Sequence, residues 1–296
     1  MNILILGPGA VGSLWATKFQ FAGHNVSLWG RTSDSKQQLQ LDDAPAINFA
    51  NQHLPSVQAA DLIVVTVKAW QVEGAIEPLL PYISEDTIVM LLHNGMGTAP
   101  LLEAKLPDNP LIVATTTHGA YKPSKEQVLH TGQGNTQLGG FNAKGAQCDF
   151  LAQVMNHALP EVNWNPNINA ALWTKLAINC AINPLTAIHQ CKNGELAAPE
   201  FDTKLANITH ELVEVMNKEE IEVDFDSLHA TIMQVVNATA ANYSSMRQDV
   251  FHQRRTEIDF ITGYLLQAAE KHQISTPENA KLYQRIKQIE QSWTEQ

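Results

Sequence analysis

The sequence predicts an α/β N-terminal domain, a doubly wound and mostly parallel sheet, followed by an all-α C-terminal domain. Three observations predict it. Short apolar runs rich in β-branched residues alternate with helix-spaced segments through the first half. A glycine turn joins the first of these runs to the first helix. From about Asn167 the β-branched runs vanish and long helical patterns dominate. A length of 296 residues also suits two domains better than one core.

In chain order, Asn2–Leu6 is an apolar run that stops at glycine. Ala10–Phe21 carries helix-spaced apolar residues and ends at Gly23-His24. Asn25–Trp29 reads as a second strand, and Asp61–Val67 and Thr87–Leu92 as buried parallel strands. Val72–Leu80 reads as a helix between them. Leu111–Thr116 is another strand, and Gln127–His130 with Thr136–Leu138 is expected to form a hairpin across Gly132 and Gly134. Helices are expected over Ala170–Asn183, Phe201–Glu219, Ser227–Ala241 and Thr256–Lys271. Another starts at Ser275–Glu278, with Thr276 as its cap and Pro277 at the first helical position. The boundary falls near Asn165–Asn167, giving domains 1–166 and 167–296.

Composition narrows the function. With 44% hydrophobic and 17% charged residues the chain is an ordinary globular protein. A net charge of -11 opposes nucleic acid and anionic membranes as partners. Cys148, Cys180 and Cys191 have no metal-ligand spacing and fit free thiols in a reducing compartment. No metal site is expected. Met1–Leu6 lacks a basic flank and is too short for a signal peptide or a span, so a cytoplasmic location is expected. No heptad pattern fixes an assembly, and monomer or homodimer both remain open.

The turn Gly7-Pro8-Gly9-Ala10-Val11-Gly12 is a G-x-G-x-x-G between a strand and a helix, the context of a Rossmann dinucleotide site. Gly7 permits the tight turn, Gly9 lets a pyrophosphate approach, and Gly12 lets helix and strand pack. Free N–H groups at the helix start then face the phosphates. At the end of the second strand an NAD enzyme carries an acid. Here Trp29-Gly30-Arg31 has none, and Arg31 offers planar donors for a 2′-phosphate, so NADPH is the expected cofactor. Asp34, three residues on, keeps the NADH reading open. Lys68 and Asn94-Gly95 follow two further strands, at the sheet edge where such folds bind ligands.

The segment Ala171–Leu185 is apolar nearly all round, so its helix should be buried. Its polar exceptions Lys175, Asn179 and Asn183 recur every four residues and form one narrow stripe. Buried amines and amides need partners, and a stripe of donors suits an oxygen-rich substrate. The competing reading is a hydrogen-bond ladder within the protein, with Asn183 merely capping a helix begun by Pro184. Hydride delivered to a keto carbon leaves charge on oxygen, which a neighbouring lysine can stabilise and protonate.

Over nearly its whole length the chain resembles the 2-dehydropantoate 2-reductase (ketopantoate reductase) family. GPGAVGSLWA, VKAWQV, LLHNGMGT, TTTHGA, LWTKLAINCAINPLTAI, CKNGEL, NYSSM and RTEIDFITGYL carry the resemblance. It implies reduction of 2-dehydropantoate to (R)-pantoate with NADPH, in pantothenate and coenzyme A synthesis. It implies Lys175 as the catalytic acid, and Asn179 and Asn183 at the substrate's hydroxyl end. Ser245 would bind the carboxylate, with Ser244 the open alternative, and Asn193 and Asn242 would join the substrate side. Lys68, Asn94, Ala120 and Glu257 match cofactor positions, and Asn94 would touch substrate as well. The alternatives are a reductase of another small branched 2-keto acid and a non-enzymatic NADPH sensor, which has no use for the lysine stripe.

Overall fold

A computed structural model describes residues 1–293; residues 294–296, the end of the expected second domain, lie outside the described residues. The chain divides into two units, one of Met1–His93 with Gly97–Ile168, the other of Asn94–Met96 with the chain from Asn169 onward. The first unit runs β1 (Asn2–Leu6), α1 (Ala10–Phe21), β2 (Asn25–Trp29), β3 (Lys36–Leu41), β4 (Ile47–Asn51), α2 (Leu54–Gln58), β5 (Leu62–Val65), α3 (Val72–Ile76), β6 (Ile88–Leu91), α4 (Ala99–Lys105), β7 (Leu111–Thr116), β8 (Gly119–Tyr121), β9 (Gln127–Gly132), β10 (Thr136–Gly140), α5 (Leu151–Ala158) and β11 (Val162–Trp164).

The sheet order is β11-β10-β7-β6-β5-β1-β2-β4-β3-β9-β8. From β7 to β4 every neighbour is parallel, with Ile5 opposite Leu28 on one side and Val64 on the other. β5 and β6 are buried throughout, which is why they read as unbroken apolar runs. The chain turns from one side of β1 to the other, so the crevice at its carboxyl end is the switch point. That end is Leu6-Gly7. Trp15 and Phe19 on α1 pack into the core beneath it.

The expected hairpin across Gly132 and Gly134 does not form. β9 pairs antiparallel with β8 and parallel with β3, while β10 pairs with β7 and β11. Gly134 instead packs against the backbone of Thr117 and His118, where a Cβ would come within 2.5 Å. The expected helix over Val72–Leu80 is α3 followed by a 3₁₀ turn from Glu77 to Tyr82, because Pro78 and Pro81 remove donors.

The second unit is helical, with α6 (Ile168–His189), α7 (Pro199–Lys218), α8 (Phe225–Ala238), α9 (Ser245–Phe251), α10 (Thr262–Lys271) and α11 (Pro277–Ser292). Its core is built around α6, whose Trp173, Leu176, Ala177, Cys180, Ala181 and Leu185 are buried together. Burial pushes the Cys180 thiol up to about 12, which leaves it inert. Pro184 does not begin a new helix. It lies inside α6, which continues to His189, and Thr186 Oγ1 donates to the carbonyls of Ile182 and Asn183 at 2.9 and 3.1 Å. The expected helix from Thr256 is also corrected. Ile258–Phe260 is a 3₁₀ turn, and Ile261 breaks the chain at φ −104°, ψ −88° before α10. Among the described residues no helix is long and apolar enough to cross a membrane.

Thr276 stands at the cap position of α11, but its side chain caps nothing. Glu211 of α7 does the capping. Its carboxylate accepts from Glu278 N at 2.7 Å, Asn279 N at 3.0 Å and Asn279 Nδ2 at 2.7 Å. Removing a largely buried carboxylate with three such bonds is expected to cost about 2–4 kcal/mol of stability. Urea denaturation of Glu211→Ala should show this loss; an unchanged midpoint would mean the cap is dispensable.

Candidate active site

Two groups of residues carry chemistry, one on each unit. On the first, Gly7 N donates to Trp29 O at 3.0 Å and the Gly7 carbonyl accepts from Thr66 Oγ1 at 2.7 Å. Gly7 has φ +91°, and a Cβ there would lie 2.3 Å from Val67 Cγ1. Gly12 is equally confined, since its Cβ would meet Thr66 Oγ1 at 2.3 Å and Gly7 O at 2.5 Å. Gly9 differs: an added Cβ would meet only Gly7 O, at 3.9 Å. The turn is therefore closed behind and open in front. The first N–H groups of α1, from Ala10, Val11 and Gly12, have no intrahelical partner and lie beside that opening, next to Pro8. A dinucleotide pyrophosphate fits this cradle.

Arg31 is exposed in the loop after β2. The loop is held from β4 by Asn51, which is 1% exposed. Asn51 Oδ1 accepts from Gly30 N at 2.8 Å, and Nδ2 donates to Thr32 O at 3.0 Å and Asp34 O at 2.7 Å. No local motif singles out Asn51; only the parallel pairing of β2 with β4 brings it there. Lys68 follows β5 half-buried, its backbone N donating to Gln71 Oε1 at 3.3 Å. Ala120 lies in β8 and packs on the core of this unit.

On the second unit, Lys175, Asn179 and Asn183 share one α6 face, with Asn183 6% exposed. Desolvation lowers the Lys175 ammonium to about 8, although the nearby Glu257 carboxylate pulls it back up. Glu257 is buried just before the Ile258 turn, and Asn94 Nδ2 donates to its Oε2 at 3.4 Å. Asn94 reaches it because Met96 N donates to Phe260 O at 2.8 Å and Gly95, at φ +84°, lies against that same carbonyl. A Cβ on Gly95 would come within 2.6 Å of Phe260 O. Lysine, carboxylate and amide thus form one polar cluster.

A second cluster adjoins the far end of the stripe. Thr186, three residues beyond Asn183, bonds Ser244 through the two hydroxyls at 2.7 Å. Ser244 also caps α9, accepting from Arg247 N at 3.0 Å. Ser244 is consumed by structure, and Ser245, the first residue of α9, is the exposed hydroxyl. Asn193 N donates to Asn242 O at 3.0 Å and Asn193 Nδ2 to Thr239 Oγ1 at 2.9 Å. Asn193 Oδ1 is buried without a hydrogen-bond partner. Asn242 shares no helical turn with Ser245; it is an exposed residue of the segment leading into α9. Thr186 was not predictable as a link, since threonine on a buried helix usually bonds only its own backbone.

An acid near neutrality with amide and hydroxyl donors on either side suits a carbonyl compound that also carries hydroxyl and carboxylate groups.

The family description "Ketopantoate reductase PanE/ApbA" matches residues 3–143, and "Ketopantoate reductase PanE/ApbA C terminal" matches residues 167–290. The chain is 56% identical to a 2-dehydropantoate 2-reductase of Vibrio cholerae, covering 99% of each. Its structure is similar to that of a PanE/ApbA family ketopantoate reductase from Ralstonia eutropha, with TM-score 0.87, 25% identity and 99% of each chain covered. It is also similar to D-mandelate dehydrogenase in a ternary structure with NADH and anilino(oxo)acetate, with TM-score 0.90, 25% identity and 99% of each chain covered.

Proposed function

This chain is an oxidoreductase of the ketopantoate reductase family, and from that premise we propose that it reduces 2-dehydropantoate to (R)-pantoate with NADPH, in pantothenate and coenzyme A biosynthesis. The observation that supports this most is the α6 stripe, where Lys175 sits beside Glu257 with its ammonium lowered to about 8. Residues 1–166 are the cofactor domain in this reading and 167–296 the substrate domain.

The turn Gly7–Gly12 would hold the pyrophosphate, Arg31 the 2′-phosphate, and Lys68, Asn94, Ala120 and Glu257 the rest of the cofactor. When bound, NADPH supplies a hydride to the keto carbon. Lys175 Nζ gives its proton to the keto oxygen, and its charge stabilises that oxygen as it becomes negative. Asn179 and Asn183 orient the hydroxyl end. Ser245 binds the carboxylate, with Asn193 and Asn242 beside it, and Asn94 contacts substrate as well as cofactor. The reaction proceeds in the cytoplasm, in a monomer or a homodimer.

Loss of NADPH absorbance over a panel of 2-keto acids tests the reading. 2-Dehydropantoate should give the highest kcat/KM, ahead of smaller branched and aromatic 2-keto acids. A branched or aromatic competitor used more efficiently would move the assignment to that acid, and no turnover of any would leave only a cofactor-binding protein.

Cofactor preference has its own test. A charge-assisted hydrogen bond contributes about 1.5–3 kcal/mol, or roughly 10- to 150-fold in affinity. Arg31→Ala is therefore expected to weaken NADPH by about that factor and leave NADH nearly unchanged. Equal losses for both cofactors would remove Arg31 from the 2′-phosphate.

A further inference from the structure

Lys122 follows β8 and reaches the glycine turn from behind. Its Nζ donates to the Pro8 carbonyl at 2.8 Å and to Ser13 Oγ at 2.9 Å, and Ser13 Oγ itself donates to the Pro8 carbonyl at 2.9 Å. Ser13 is fully buried on α1. The amine is thus fastened to both ends of the segment whose middle, Gly9 to Gly12, presents the open face of the cradle.

This is an unfavourable place for a cation. The positive end of α1 is adjacent, and no carboxylate among the described residues offsets the charge. Desolvation accordingly lowers the ammonium to about 8. A lysine needed only to fill space would be better replaced by an uncharged side chain. What the position lacks is a nearby anion, and the pyrophosphate proposed for this turn supplies one.

We propose that Lys122 is the cationic brace of the pyrophosphate cradle, a positioning residue that fixes Pro8 and Ser13 so that the N–H groups between them face the cofactor, and whose charge the pyrophosphate balances. The proposal rests on the dinucleotide reading of the first unit and adds to it a residue outside the glycine fingerprint. Sequence alone gives no hint of it, because Lys122 is one of two lysines in the polar stretch Tyr121–Lys125 and no motif marks it.

Because NADPH and NADH share the pyrophosphate, Lys122 should not distinguish them, in contrast to Arg31. The full-length chain and its Lys122→Met and Lys122→Arg variants are titrated with NADPH and with NADH by nucleotide fluorescence. Each is also assayed for kcat at saturating NADPH and for Tm without cofactor. Lys122→Met is expected to lose about tenfold or more in affinity for both cofactors alike, with kcat within about twofold of the parent, and Lys122→Arg to recover most of that affinity.

Affinities unchanged in Lys122→Met would overturn the proposal, as would a loss confined to NADPH. A fall in Tm and kcat together, with Lys122→Arg no better than Lys122→Met, would reduce Lys122 to a support of the fold. Should the parent chain bind neither nucleotide, the dinucleotide reading fails and this proposal with it. Parent binding with an indifferent Lys122→Met fails this proposal alone.

Discussion

Lys175→Ala is expected to lose at least about two orders of magnitude in kcat at saturating substrate, the lower range for a general acid. As the proposed acid the amine would act on the transition state, where the keto oxygen gains charge, so kcat and kcat/KM should fall together. NADPH affinity should barely move, because the glycine turn and Arg31, proposed to hold its phosphates, belong to the other unit. A lysine that only supports the helix predicts poor folding with near-normal turnover of whatever stays folded. Residual kcat above about a tenth of the parent in a folded variant would assign the acid elsewhere.

The pH profile tests the same group independently. Burial outweighs the pull of Glu257, so the ammonium titrates near 8 instead of its ordinary 10.5. In the proposed role the acid form is the working form, and activity limited by this step should be full well below pH 8 and fall as pH rises through it. The consequence for stability has the opposite slope. A lysine lowered in the folded state favours folding more as pH rises from about 8 towards 10.5. Alkaline loss of activity in a chain that is becoming no less stable separates titration of Lys175 from unfolding.

How much of this was legible in the sequence depended on whether the signal is local. β1 and β5 to β7 announce themselves because a parallel strand buried on both faces is a largely apolar run. β3 does not: Lys36–Leu41 is mostly polar, and only Leu39 and Leu41 are buried. The false hairpin shows the same limit from the other side. Two β-rich segments separated by glycines are good hairpin chemistry, yet β9 pairs back with the preceding β8 and with the distant β3, and β10 pairs with β7 instead. Pro184 misleads for a related reason. Proline ordinarily stops a helix, and here α6 tolerates it because its apolar faces are held in the core.

The proposed site residues divide in the same way. Lys175, Asn179 and Asn183 are visible because helical spacing aligns polar residues on an otherwise apolar helix. Ser244 and Ser245 are chemically identical, and only the cap of α9 and the bond to Thr186 tell them apart. Asn51 and Lys122 act through contacts more than 16 residues away in sequence, with Thr32 and Pro8 among their partners. Lone polar residues of that kind carry no periodicity.

The substrate end gives the second large effect. If Asn183 and Ser245 hold opposite ends of a hydroxylated keto acid, each alanine variant should raise the KM for 2-dehydropantoate by about 10- to 150-fold, the range of a hydrogen bond to a charged or buried group. A site built to bond a hydroxyl is penalised twice when a partner is removed, since the substrate group then enters the pocket unpaired. NADPH affinity should stay within about twofold, because neither residue is among those proposed to hold the cofactor. Ser244→Ala is the internal control. It removes the cap of α9 and the bond to Thr186, so it is expected to cost about 1–2 kcal/mol of stability, the range for a lost helix cap. Its effect on KM should be the smaller of the two serines. The opposite pattern, with Ser245→Ala silent and Ser244→Ala abolishing substrate binding at undiminished stability, would transfer the carboxylate to Ser244. Asn183→Ala that lowers Tm while KM stays intact would return the end of the α6 stripe to a purely structural role.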